Sequence, residues 1–502
     1  MNFKTLASTA LVAGLLAGGA QAADLKIALQ DDPDVLDPAQ SRSFVGRIVY
    51  AAMCDALVDI DADVNFVPKL ATDWKFSDDG LKLVMNLRQG VKFQDGEDFN
   101  ADAVVYTINR NMTMKESRRK SDLASVEKIE KTGDYQVTFT LKQPDASLVA
   151  QLYDRAGMIV APKAAEAEGA NFGAHPVCAG PFKFVERVPQ DRIVLEKFDG
   201  YWNAKDIHFD KVTYLPIPDT TVRLANLQSG DVDLVDRIAS TDADTVKANP
   251  KLGYAEVAGL GNMGIYFNLA NGTGAKNPMG ENKLLRQAFS LSIDRDAIDE
   301  VVFNGAALPG NQPWPPTSVW YDKTHPVPLR DIDKARALVK EAGFDRVKVT
   351  IKHANNPVVT QAMQMIQAMA AEAGFDVKLQ STEFATLLDD QSSGNFEVSR
   401  SDWSGRPDPD GNVYQFFTTK GGLNDPKYSN PEVDRLLNEA RASTDPAVRK
   451  AKYDAFVGHL LEDNPIVYLG TQKYLYGFTA KLNGFKPLPD AMIRLQGVSK
   501  AD

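Results

Sequence analysis

Between Leu284 and Ser392 the apolar residues switch repeatedly between helical and strand spacing, and few folds accept such a rhythm. Helical spacing over Ile332–Ala342 stops at Gly343, and alternation over Val347–Lys352 follows. Helical spacing returns over Val358–Ala373 and stops at Gly374, before a strand pattern at Asp376–Ser381 and a helix at Phe384–Ser392. Helices lying between successive strands are crossover connections, which predict an α/β domain on a mainly parallel sheet. A further helix is predicted over Leu284–Phe303, and a late pair, Asn430–Ala442 and Ala447–Asp463, precedes a strand at Ile466–Leu469. The similar stops Glu341-Ala342-Gly343-Phe344 and Glu372-Ala373-Gly374-Phe375 are too isolated for a solenoid repeat.

The first half is richer in strands. Asp24–Leu29 alternates and runs into the turn-rich Asp31–Ala39, after which a helix starts near Ser43. Trp74–Arg88 holds two alternating runs around Asp79-Gly80, a hairpin signal, and Asn100 caps a helix with Asp102 in its first turn. Strands are expected again within Val126–Leu141 and at Gly180–Phe184 and Arg192–Phe198. A helix at Thr220–Ser229 then leads to a short strand at Asp231–Leu234. With 502 residues the chain has room for several lobes and a cleft between them. A net charge of −11 without a basic run disfavours a nucleic-acid partner.

The only long apolar stretch, Leu6–Ala17 after Lys4, ends in Ala20-Gln21-Ala22 and reads as a cleavable secretory signal over residues 1–22. It is shorter than the ~20 apolar residues of a membrane span. The mature protein is therefore expected to begin at Ala23 and to work in the periplasm of a Gram-negative bacterium. In an oxidising compartment Cys54 and Cys178 can form one disulfide, or remain two buried thiols.

Nothing in the chain has the spacing of an active site. None of the histidines 175, 208, 325, 353 and 459 lies at metal-ligand spacing, and no nucleophile elbow or phosphate loop is present. Asp408-Pro409-Asp410-Gly411-Asn412 reads as a turn, because its glycine is misplaced for a calcium loop. Met363, Met365, Ile366 and Met369 read as core. No catalytic residue, metal or cofactor is assigned. The loops at Gly310–Pro316, with Trp314, and at Ser399–Asp408, with Trp403, set tryptophan beside Arg and Asp, which suits ligand stacking and carboxylate recognition. Core packing is the alternative for both tryptophans.

These patterns resemble the dipeptide/oligopeptide/nickel-type family of periplasmic solute-binding proteins that serve ABC importers. The resemblance covers essentially the whole mature chain. Its most specific part is Leu70–Trp74 with Asp79–Gly96 and Phe99–Val104, supported by Gly180–Phe184, Tyr201-Trp202, Gln228–Asp233, Phe267-Asn268, Arg286–Arg295 and Trp403-Ser404-Gly405. It implies a two-lobed flytrap with a hinge and an extra subdomain. Residues 23–60, 165–261 and 469–502 would form lobe I, 61–164 its extra subdomain, and 262–468 lobe II. The partners it implies are a small solute, ABC permease subunits and a cytoplasmic ATPase, with the receptor itself a monomer and not an enzyme. A hydrolase, chaperone or signalling receptor on the same scaffold is the alternative.

The resemblance also implies a ligand-binding set of Arg42, Ser43, Phe44, Asn262, Met263, Gly264, Trp314, Trp403, Ser404, Arg406 and Asp408. In peptide-binding relatives an Asp three residues after the Trp anchors the ligand's amino group, whereas Arg406 stands there in this chain. A guanidinium at that position repels an ammonium, which favours an opine-like, sugar-acid-like or modified amino-acid solute over an ordinary peptide. Asp408 is the alternative amine anchor, and the missing histidine pairs disfavour nickel or haem.

Overall fold

The computed structural model describes residues 24–501, so the signal expected over 1–22 lies outside the described residues. In the first lobe β1 (Asp24–Leu29) buries Leu25, Ile27 and Leu29. With it go α1 (Phe44–Met53), β2 (Phe182–Val188), β3 (Arg192–Lys197), β4 (Lys211–Pro216), α2 (Thr220–Ser229), β5 (Leu234–Val235) and β6 (Leu252–Ala258). The second lobe contains β7 (Asn262–Phe267), α3 (Lys283–Ser292), α4 (Ile332–Glu341), β8 (Val347–Ala354) and α5 (Pro357–Glu372). It continues with β9 (Phe375–Thr382), α6 (Phe384–Ser393) and β10 (Val398–Trp403). The strand β11 (Ile466–Thr479) belongs to both.

One sheet runs through the molecule in the order β9-β8-β10-β7-β11-β5-β1-β4-β3-β2. Its β8 pairs in parallel with β9 and β10, and β1 pairs in parallel with β4 and β5. The mainly parallel sheet expected from the β-α-β rhythm is in fact mixed, since β7 is antiparallel to both β10 and β11. The reason is topological: β7 carries the chain into the second lobe and β11 carries it back. A separate antiparallel sheet pairs Ala71–Phe76, Lys82–Leu87, Gln136–Leu141 and Val126–Gly133 in that order. Its core includes Leu83, Phe139 and Ile108 of the helix Ala101–Thr113, which Asn100 caps through the Ala103 N–H.

Two expectations need correction. The strand at Ile466–Leu469 is a 14-residue strand reaching Thr479. Gly470 lets it continue, because its φ of +140° and a Cβ position only 2.2 Å from the Leu308 carbonyl oxygen exclude a side chain. The single helix over Leu284–Phe303 is broken, because Asp294 accepts a hydrogen bond from the Ala297 N–H and starts a new turn at Arg295. A π-helical turn then spans Asp299–Phe303.

Cys54, at the end of α1, is disulfide-bonded to Cys178. The second lobe has a core of Ile265, Phe289, Ile351, Met363 and Phe375, into which Ile366 also packs. An aromatic core around Tyr453 and Phe456 takes in Trp314 and Trp403.

The strand crossing explains a steric demand at Gly261, where an added Cβ would stand 1.7 Å from the Trp403 carbonyl oxygen. Gly458, inside the helix Pro446–Asp463, faces open space instead. Gly261→Ala is expected to lower the unfolding midpoint in urea, whereas Gly458→Ala should raise stability by about 0.5–1 kcal/mol. Equal effects at the two sites would contradict this reading of the crossing.

Candidate ligand-binding cleft

Three small cavities, of about 70, 60 and 30 Å³, lie in succession between the lobes. The first two share Gln30, Arg237, Asn356, Val359 and Asp402, and the last two share Ser401 and Asp402. Asp402 therefore lines all three.

The sheet explains why the lining residues gather here. Gln30 and Asp31 follow the carboxyl end of β1, and Asp236 and Arg237 follow β5. Across the cleft Asn356 lies just beyond β8, and Ser404 directly follows β10. Carboxyl ends of parallel strands, where the strand order reverses, leave a crevice for ligands. Phe44 opens α1, whose first turn is capped by Ser43 accepting from the Gly46 N–H at 3.1 Å.

The charges in this crevice are mixed and incompletely paired. The Arg237 guanidinium lies 4.4 Å from the ring centroids of both Phe44 and Tyr474, a cation–π arrangement. Its φ of +59° is in the left-handed region, and its buried Nε has no hydrogen-bond partner. Beside it both carboxylate oxygens of Asp236 are buried without hydrogen-bond partners, Oδ1 lying 3.9 Å from Arg237 Nε. Arg400 donates to Asp402 through Nη1, while its Nε is buried and unpartnered. Burial pushes the Asp31 carboxyl up to about 8, with Arg223 and Arg237 pulling down and Asp236 and Glu383 adding to the rise. Burial also raises Asp236. Isolated buried charge is costly, and these groups offset one another in part, Arg237 Nε lying 3.9 Å from Asp236 Oδ1.

Of the residues singled out in the sequence, Phe44 and Ser404 line the middle cavity, and Arg42 and Trp403 line the smallest. Arg42 also reaches across the lobes to Asp425, Ser392 and the Leu388 carbonyl. Asn262, Met263 and Gly264 form the start of β7: Asn262 donates to the Pro313 carbonyl at 3.0 Å, and the Met263 sulfur accepts from Gln472. Trp314 packs edge-on against Tyr453.

Arg406 and Asp408 stand elsewhere than the argument from their positions implies. Arg406 is buried against Trp403, and its Nε lies 2.6 Å from Asp154 of the first lobe. Arg47 donates to the same Asp154 at 3.0 Å and to Ser404 at 2.9 Å. Burial opposes ionisation of Asp154, but Arg406, Arg47 and Arg155 hold its carboxyl far below the usual range. The charge of Arg406 is thus taken up by the chain's own carboxylate across the lobe seam. Asp408 is held by both Nη atoms of Arg449, at 2.6 and 2.9 Å, and caps the next turn. The guanidinium groups that line the cavities are Arg42, Arg223, Arg237 and Arg400, with Asp31, Asp402 and Asp425 as the carboxyls, and Arg42 is paired with Asp425.

Of these, Arg400 and Asp402 stand out in the sequence as members of a tryptophan-bearing loop run, and Arg42 through the family resemblance. Arg400 and Asp402 lie two apart in β10, so strand alternation sets them on one face, and both belong to the flagged loop run. Asp31 was visible only as a turn residue, and Arg237 gave no signal.

The raised Asp31 carboxyl has a pH consequence. Its contribution to stability is fully present below the ordinary value of 3.8 and is lost as pH rises through about 8, because the folded state holds a proton that the unfolded chain releases. Urea midpoints measured across that interval should fall with pH in the native protein, and less steeply in Asp31→Asn. Identical slopes would show that Asp31 does not hold the proton.

The chain matches the model of the bacterial extracellular solute-binding proteins, family 5 (Middle), over residues 65–424. It is 29% identical to the glutathione-binding protein GsiB of Pectobacterium atrosepticum, covering 98% of this chain and 97% of that one. Among solved structures, the ABC transporter-associated periplasmic binding protein DppA of Helicobacter pylori, in complex with the peptide STSA, superposes with a TM-score of 0.87. It shares 26% identity over 95% of this chain and 98% of its own. The binding protein AgaA of A. tumefaciens R10, in complex with agropinic acid, gives 0.86 and 26% over 95% and 99%. With the matched segment spanning most of its length, the chain belongs to the bacterial extracellular solute-binding proteins of family 5.

Proposed function

We propose that this chain, the solute-binding component of an ABC importer, captures a small zwitterionic solute derived from an amino acid and releases it chemically unchanged. The observation that carries the reading is Asp402, which lines all three interlobe cavities beside guanidinium groups with unpartnered donors. A solute ammonium would meet Asp402 or Asp31, and its carboxylate would meet Arg237 or Arg400. Charge-assisted bonds of this kind are roughly twice as strong as neutral ones. An opine-like or modified amino acid has this charge pattern. The glutathione-binding relative and the agropinic acid complex support an amino-acid-derived ligand. A short free-amine peptide anchored by Asp402 is the second reading, favoured by the peptide complex of the Helicobacter relative.

In this reading 262–468 moves as lobe II against 23–60, 165–261 and 469–502, which carry 61–164 as a subdomain, and the chain crosses between them near 259–264 and 469–471. A solute touching both lobes favours their approach, since only contacts made in the closed form shift the equilibrium towards it. The mature protein, beginning at Ala23, would act as a periplasmic monomer and present its closed form to the permease and its ATPase.

Calorimetric titration of ligand-stripped protein with glutathione, agropinic acid and the dipeptide Met-Leu tests the proposal. At least one should bind and be recovered intact, and Asp402→Asn should weaken it by about tenfold or more, the loss of a bond to a charged group. Binding unaffected by Asp402→Asn, or hydrolysis of the bound compound, would contradict it.

A further inference from the structure

On the second lobe a separate cavity of about 450 Å³ opens between α3, α4, the loop 311–328 and the start of β11, and it shares no residue with the interlobe cavities. Its volume is within the range of small-molecule sites. At its wall Arg295 is 5% exposed. Arg295 Nε donates to the Tyr468 carbonyl at 2.8 Å, Nη1 to the Ser290 carbonyl at 3.3 Å and Nη2 to Ser290 Oγ at 3.1 Å. A guanidinium has five N–H donors, so these three bonds leave two available.

What sets the cavity apart is the sign of its charge. Arg295 and Lys334 line it with His325, and no Asp or Glu is among the lining residues. Among the described residues no carboxylate lies within ion-pair distance of Arg295 or Lys334. Asp322, beside the rim, is occupied: its Oδ2 is 2.6 Å from His325 Nδ1, and its Oδ1 accepts from Thr324. Burial pulls Arg295 down to about 10, with Tyr321 and Asp296 only partly offsetting it. The opposite wall is apolar, formed by Leu291, Leu338 and Leu461. The rim is fixed, since Asn311 donates to the Pro326 carbonyl at 3.0 Å and accepts from the Tyr321 hydroxyl at 2.7 Å.

We propose that this cavity is a second binding site, outside the cleft, for a small organic oxyanion. Its charged head would engage Arg295 and Lys334 while its apolar body lies against the leucines. The site is independent of the cleft and of the solute assigned to it.

Phenyl phosphate, with phenol as the uncharged control, probes the site in calorimetric titrations of the full mature chain. One equivalent of phenyl phosphate should bind and phenol should not. Lys334→Glu, an exposed change that leaves the Arg295 contacts in place, should weaken binding by about tenfold or more. Arg295→Lys should also weaken it, and Arg237→Glu, in the cleft, should leave it unchanged. No binding of phenyl phosphate, equal binding of phenol, or loss in Arg237→Glu with Lys334→Glu unaffected would each overturn the proposal.

Discussion

The architecture hangs on one strand that is hydrogen-bonded in both lobes. The first residues of β11 pair with β7, and its later residues pair with β5 and β6. A continuous strand of this kind fixes the relative direction of the two half-sheets, and so brings the carboxyl ends of β1, β5, β8 and β10 to face one another. It also concentrates steric demand at the crossing, where Gly261, Gly405 and Gly470 each meet backbone atoms closer than any side chain allows. If the lobes move as proposed, the change would be confined to a few residues at this crossing while the lobes keep their packed cores.

Electrostatics divides the interface into two parts. Along the seam charges are paired across the lobes: Arg406 with Asp154, and Arg42 with Asp425. Such pairs offset the desolvation that closure imposes, and they set the register of the lobes more than they add stability. Around the cavities the hydrogen bonding is incomplete, with Arg237 Nε and Arg400 Nε lacking hydrogen-bond partners, although Arg237 Nε lies 3.9 Å from Asp236 and Arg400 is paired with Asp402.

Much of the fold was legible because it rests on local chemistry. The turn at Asp79-Gly80, the Asn100 cap and the glycine stops at 343 and 374 act within a few residues, and the elements they bound form where the spacing predicts. The break at Asp294 and the length of β11 were missed: in the first a cap competed with a continuous helical pattern, and in the second a glycine looked like an end. The site was legible only as a neighbourhood. The Trp403 run was singled out, yet Arg406 and Asp408 turned out to be committed to Asp154 and Arg449. Those partners lie 252 and 41 residues away, a pairing that no local pattern encodes. Arg237 reaches the cavity for a similar reason, through its place after a strand that is short and remote from the second lobe.

The central claim is that the cleft captures a zwitterion derived from an amino acid. Native mass spectrometry of the protein from a periplasmic extract, followed by denaturing release and identification of the bound molecule, tests it most directly. The account predicts a small solute carrying both an amine and a carboxylate, lost from Asp402→Asn protein prepared in the same way. A neutral sugar or a metal chelate released in stoichiometric amount would contradict it.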